Sequence, residues 1–196
     1  MKLNNKRTIL VGLAFLSICA FWQMYDSVVP LILTKTFHMN ETFSGAIMAA
    51  DNILALFLLP FFGSLSDRSH SKIGKRMPFI LFGTGCAVIL MNILPLLDNS
   101  YAAQPSGLKT ASFVIVLGLL LVTMGTYRSP AVALMPDVTP KPLRSRANAI
   151  INLMGAVGGI LYLGVAAVLY PNSKTAGLDH VNYQPLFIVV SAIMFV

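Results

Sequence analysis

Charge is what this chain has least of. Asp, Glu, Lys and Arg make up 11% of its 196 residues, against roughly 25% in soluble domains. With 56% of residues hydrophobic, that deficit excludes an ordinary soluble domain and places the chain among integral membrane proteins. Cysteine is nearly absent: Cys19 and Cys86 both fall inside apolar runs. They support neither a disulfide framework nor a metal-ligand spacing, so no metal site is expected. The chain also lacks a G-x-x-x-x-G-K-[ST] loop, so no nucleotide drive is expected within it. No Ser/His/Asp or Cys/His arrangement sits where water and substrate could meet. Neither an enzyme nor a cofactor is therefore expected. Acidic residues are few, seven against fourteen basic ones, for a net charge of +7. A nucleic-acid arm would need one contiguous basic patch with aromatics, and the basic residues are scattered instead.

What the chain does have is six apolar runs, at about 9–33, 43–62, 78–97, 110–134, 147–170 and 185–196. A spanning helix needs about 20 apolar residues. The sixth run is shorter than that, so helix 6 is read as incomplete, and the chain as the N-terminal part of a longer protein. The basic residues alternate between gaps. Lys2, Lys6, Arg7, Arg68, Lys72, Lys75, Arg76, Lys141, Arg144 and Arg146 occupy one set, and only Lys35, Lys109 and Lys174 the other. Lys and Arg resist translocation, which predicts a multi-pass cell-membrane protein with a cytoplasmic N-terminus. The first apolar run outlasts a signal-peptide core of ~7–15 residues and is read as a retained helix. Span 5 carries Gly155 and Gly159 as a G-x-x-x-G pair, the kind of small-residue spacing that lets helices approach closely.

The polar hairpin after span 2 reads Gly63-Ser-Leu-Ser-Asp67-Arg68, then Gly74-Lys75-Arg76, then Pro78-Phe79. G-x-x-x-D-R followed by G-K-R and P-F resembles the loop between helices 2 and 3 of major facilitator superfamily transporters. Five residues, Ser69 to Ile73, separate the Arg from the second Gly. That longer form is similar to the glycoside–pentoside–hexuronide:cation symporters and the proton-coupled sucrose transporters. The Tyr127–Asn148 stretch resembles the same branch. The resemblance implies an all-α transmembrane fold, the N-terminal six-helix bundle of a twelve-helix carrier built from 3+3 inverted repeats. It implies alternating access, with Gly63, Asp67, Arg68, Gly74, Lys75 and Arg76 as a conformational gate, joined by Asp137, Arg144 and Arg146 from the second basic loop. Asp67 has Arg68 and Arg76 as available partners, and Asp137 has Arg144 and Arg146.

Three ionisable residues lie at membrane depth, where each costs about 2.5–3.5 kcal/mol on insertion scales: Asp26, Asp51 and Arg128. Taking ~1.5 Å per residue, Asp26 and Asp51 share a depth, while Arg128 lies ~12–16 Å further inward, too far for an assumed salt bridge. One reading makes them proton- or substrate-binding groups of a polar cavity, with Trp22, Tyr25, Asn52 and Tyr127 as nearby sugar-recognising groups. The other makes the charges mere bridges between helices and the aromatics an interfacial belt. The resemblance places cation-binding carboxylates where this chain has Ala55 and Leu59, which favours a proton gradient over sodium as the driving ion. Span 5 lacks the Gly-Pro motif of drug:proton antiporters. The expected partners are a lipid bilayer, a C-terminal half and a small solute, with a sugar first. An exporter, a carrier of lipid-like solutes and a transport-inactive sensor are the alternatives.

Overall fold

A computed structural model describes residues 5–175 and 177–195. Lys2, counted above among the basic residues, and Val196, the end of the sixth apolar run, lie outside the described residues, as does the side chain of Arg7. The described elements are helical throughout: α1 (Asn5–Leu31), a π-helical turn (Ile32–Thr36), α2 (Glu41–Arg68), α3 (Met77–Ala103), α4 (Gly107–Val138), a 3-10 turn (Lys141–Leu143), α5 (Arg144–Leu169), the one-turn α6 (Asn172–Thr175) and α7 (Gln184–Phe195). Five helical segments are long and apolar enough to cross a membrane, and α7 is a shorter apolar helix. Helices are the natural form here, because hydrocarbon offers backbone N–H and C=O groups no outside partner.

The helices outrun their apolar stretches. Asp98, just past the third apolar run, lies inside α3 and is fully buried. Met135 to Val138, past the end of the fourth run, complete α4. Once a helix is nucleated, each further residue adds a backbone hydrogen bond, so hydropathy marks where the lipid ends rather than where the helix does. Asn40 starts α2 by accepting the Thr42 N–H at 3.1 Å, an N-cap that satisfies one orphan donor. Pro78 stands in the first turn of α3, where it lacks only an N–H that would have had no partner.

Packing is organised around α1, which lies along α5 and also touches α4 and α7; α3 pairs with α4, and α2 leans on α4. Glycines set the closest approaches. A Cβ on Gly158 would overlap the Leu16 carbonyl, and one on Gly155 would come within 2.9 Å of Cys19 Sγ. The pair that faces α1 is thus Gly155 and Gly158. Gly159, read as half of the G-x-x-x-G motif, meets nothing closer than Gln23 Oε1 at 4.0 Å. A spacing of three brings residues to one helix face as well as a spacing of four does. Gly83 plays the same part between α3 and α4, its added Cβ falling 2.9 Å from the Tyr127 nitrogen.

The core joins Phe21, Met24, Tyr25 and Val28 of α1 to Met91 and Leu94 of α3, Leu117 and Met124 of α4, and Phe187 and Val190 of α7. α2 is the outlier. Only Ser44 and Ser66 of it are buried, while Ile53, Leu56, Phe57 and Phe61 stand exposed. A helix so apolar on its outside suits hydrocarbon or a second bundle rather than water.

Candidate functional site

Midway along the bundle, α1, α2 and α4 flank a small open cavity of about 20 Å³, room for about one water, lined by Trp22, Asp51, Leu54, Ala55, Leu58, Leu59, Leu121, Gly125 and Arg128. Gly125 leaves the room: a Cβ there would press on Leu58 at 3.2 Å. The Arg128 guanidinium sits over the Trp22 ring, 5.3 Å from its centroid, a cation–π contact that steadies a cation in a low-dielectric wall. Asp51 accepts a hydrogen bond from Asn52 Nδ2 at 2.8 Å. Asp51 and Arg128 line the same cavity although the count of residues had set them ~12–16 Å apart along the membrane normal. The apolar runs were poor rulers, because the helices extend past them unequally, and a long arginine side chain reaches along its helix. No ion pair within 4 Å joins Arg128 to a carboxylate among the described residues.

The other depth-placed candidates divide. Asp26 is exposed, within electrostatic reach of Asp51 but outside the cavity lining. It is one turn beyond Trp22, on the same helix face. Asn52 is exposed beside Asp51. Tyr25 is 1% exposed and its hydroxyl has no hydrogen-bond partner among the described residues; nor has Trp22 Nε1. Both are buried polar atoms of a kind usually satisfied. Tyr127 is elsewhere: its hydroxyl is 2.6 Å from Ser17 Oγ and donates to the Ala14 carbonyl at 3.1 Å, tying α4 to α1. Consecutive helical residues point about 100° apart, so Tyr127 turns into the core where Arg128 turns to the cavity.

At the basic-loop end, Arg76 is the hub. Its side chain is 7% exposed. Nε donates to Asp137 Oδ2 at 2.6 Å, Nη2 pairs with Asp67 Oδ1 at 2.8 Å and Nη1 donates to Ser66 Oγ at 3.2 Å. The planar fork of a guanidinium is what allows three partners at once. Lys75 Nζ stands 3.7 Å from both Asp67 and Asp137. The network therefore fastens the end of α2, the hairpin and the end of α4 into one unit.

Around it, Gly74 adopts φ +105°, a left-handed turn that glycine enters without a steric cost. Gly63 lets α2 approach α4, a Cβ there meeting Ser129 Oγ at 3.0 Å, and Ser129 donates to the Leu59 carbonyl at 2.7 Å. Arg144 does not pair with Asp137. It donates to the Thr139 and Pro136 carbonyls at 3.3 and 2.9 Å, completing orphan acceptors at the end of α4, as basic residues do at helix C-termini. Arg68 and Arg146 are exposed, and neither pairs with a carboxylate among the described residues. Ser66, fully buried beneath Arg76, carried no signal in the sequence beyond its place in the motif.

Comparison with known proteins places this architecture. The family model of the Major Facilitator Superfamily matches residues 11–196. Sucrose transport protein SUC3 of Arabidopsis thaliana is 34% identical over 145 residues, 68% of this chain and 24% of its own length. Sucrose transport protein SUT3 of Oryza sativa subsp. indica is 33% identical over 141 residues, 65% of this chain and 28% of its own. The alpha-ketoglutarate permease of Escherichia coli is 26% identical over 179 residues, 90% of this chain and 38% of its own. The chain thus spans between a quarter and two fifths of these relatives. No solved structure matches at comparable stringency. A bundle of membrane-length helices, a basic hairpin with the G-x-x-x-D-R pattern and a family match over nearly the whole chain agree: this multi-pass membrane protein belongs to the Major Facilitator Superfamily.

Proposed function

We propose that the chain is half of a secondary active carrier that moves a sugar or glycoside with protons by alternating access. The observation that carries this reading is the cavity shared by Asp51, Arg128 and Trp22. Asp51 supplies a group able to exchange a proton. Arg128 balances its charge, and Trp22 offers an aromatic ring at the cavity wall of the kind a sugar ring stacks on. The sucrose transporters among its relatives support the same substrate class. Charges at this depth are a cost that a water-reached passage gives a use.

The Arg76 network is the gate of this reading. It closes the basic-loop end, taken as the cytoplasmic side from the charge asymmetry, and must open when the cavity faces inward. The driving ion is the proton, with sodium disfavoured by Ala55 and Leu59. The exposed apolar side of α2, with Asp26 and Asn52 nearby, faces the second bundle and the lipid. Acquiring a solute from the outer side would then need only a rocking of one bundle on the other.

A second reading takes its support from the alpha-ketoglutarate permease, which aligns with 90% of the chain. Arg128 has no carboxylate partner within 4 Å among the described residues, so a carboxylate solute could take that place with fork geometry. Uptake into proteoliposomes separates the two. Sugar carriage predicts that labelled sucrose accumulates under an inward proton gradient and that a protonophore abolishes it, with 2-oxoglutarate excluded. Accumulation of 2-oxoglutarate alone would select the second reading, and gradient-independent uptake of either would remove the coupling.

A further inference from the structure

At the end of the bundle away from the basic loops lies a second polar cluster that shares no residue with the Asp51 cavity. Asp98 of α3 is fully buried, and neither of its oxygens has a completed hydrogen bond among the described residues. His180, in the connection between α6 and α7, places Nδ1 3.8 Å from Asp98 Oδ2 and 3.2 Å from the Thr36 hydroxyl. Thr36 ends the π-helical turn and also lies beside Asp98. A π turn is a local departure from the helix that is frequent at functional sites. Here it follows Pro30, which has no N–H for the ladder.

Hydrogen bonding fixes where the imidazole proton goes. The Gln184 backbone N–H donates to Asn182 Oδ1 at 3.0 Å, so that atom is an acceptor. The Asn99 group 3.0 Å from it must then be the Nδ2 donor. That leaves Asn99 Oδ1, a pure acceptor, facing His180 Nε2 at 3.0 Å, and Nε2 must carry hydrogen. In neutral His180, Nδ1 is therefore a lone pair turned towards Thr36 and a buried carboxyl. If Asp98 is ionised as well, the one Thr36 hydroxyl hydrogen can serve only Nδ1 or the carboxylate, and a buried charge with no completed hydrogen bond is costly. One added proton cures this. It sits on Nδ1, as an imidazolium beside the carboxylate, or on Asp98 itself.

We propose that Asp98, His180 and Thr36 form a one-proton binding site that seals residues 177–183 against α1 and α3, and that release of this proton frees them. Asn99 and Asn182 extend the seal, and the Tyr170 hydroxyl donates to the Asn182 carbonyl at 2.8 Å. The proton has a way in: the His180 side chain is 29% exposed, and Thr36 also borders an open cavity of about 150 Å³. The other titratable or charged groups around the cluster are Lys35 on the π turn, Tyr101 on α3, Tyr162 and Tyr170 on α5, and Asp179 and Tyr183 on the connection. Lys35 and Asp179 are exposed and hydrated, and α7 contributes no charge.

The test is hydrogen–deuterium exchange of the amides of residues 177–184 in the chain reconstituted in nanodiscs, between pH 5 and pH 8, corrected for intrinsic base catalysis. Protection should fall up to tenfold per pH unit above the transition, the limit for opening linked to loss of one proton. Asp98→Asn, whose amide can donate to the Nδ1 lone pair, should keep the same amides protected at every pH. A flat wild-type profile, or an unchanged slope in Asp98→Asn, would overturn the proposal. Imidazole 15N resonances of His180 in the unmodified chain give a check that needs no variant. Nε2 should carry hydrogen at every pH, and Nδ1 only below the transition, where the ring rather than Asp98 holds the added proton; a proton on Nδ1 above the transition would also overturn it. Neither readout involves transport, so its outcome is independent of the carrier reading.

Discussion

Removing the Arg76 side chain should unfasten the basic-loop end more than any other single change there. Arg76 is 7% exposed, while Asp137 is 33% and Asp67 54% exposed. A hydrogen bond to a charged group contributes about 1.5–3 kcal/mol. With Asp137 one-third exposed, the Arg76–Asp137 link is discounted to about 1–2 kcal/mol, and the more exposed Asp67 link to about 0–1 kcal/mol. Arg76→Ala should then cost about 2–3 kcal/mol, once the bond to Ser66 and the packing of the stem are included. A double-mutant cycle with Asp137→Ala, read by reversible unfolding of the reconstituted chain, isolates the pair. The expected coupling is about 1–2 kcal/mol for Arg76–Asp137 and under about 0.5 kcal/mol for Lys75–Asp137, whose nitrogen is 3.7 Å away. Arg76→Lys should recover less than half the loss, because an ammonium cannot hold three partners in one plane. Equal couplings for Lys75 and Arg76, or none for Arg76, would refute a fork-centred network and leave these charges only a topogenic role.

Other consequences can be measured separately. Gly158→Ala should destabilise by about 3 kcal/mol, because its Cβ overlaps the Leu16 backbone and α1 must move off α5; Gly159→Ala in the same unfolding assay should be near neutral. Tyr127→Phe should cost about 1 kcal/mol, the loss of a buried hydrogen bond, with solute affinity unchanged in equilibrium binding, since Ser17 keeps its bond to the Ala14 carbonyl at 2.9 Å. Trp22→Phe should leave the unfolding midpoint nearly unchanged while weakening solute binding about fivefold, through loss of part of the Arg128 cation–π contact.

Much of the fold was legible because hydropathy and charge act over whole segments. Apolar runs of about 20 residues have few alternatives to a membrane helix, and alternate basic gaps order them. The ends of helices were less legible, since a polar residue such as Asp98 continues a helix when tertiary partners bury it. Asp51 and Arg128, each an unusual residue type at depth, do come to line one cavity, whereas nearness in sequence was a poor guide to nearness in space. Tyr127 adjoins Arg128 in the chain yet serves the α1–α4 contact. Asp137 finds Arg76, sixty-one positions away, rather than Arg144, which the α4 carbonyls claim. The Asp98–His180 cluster had no local signature at all, because a loop histidine acquires meaning only once its connection folds back on α3.

The proposed carrier needs a proton-exchanging carboxylate beside its cavity, and Asp51→Asn tests that directly. Measured in proteoliposomes with labelled solute, this variant should still exchange solute across the membrane while failing to concentrate it under an imposed proton gradient. Gradient-driven accumulation equal to the wild type would contradict it and take Asp51 out of the mechanism.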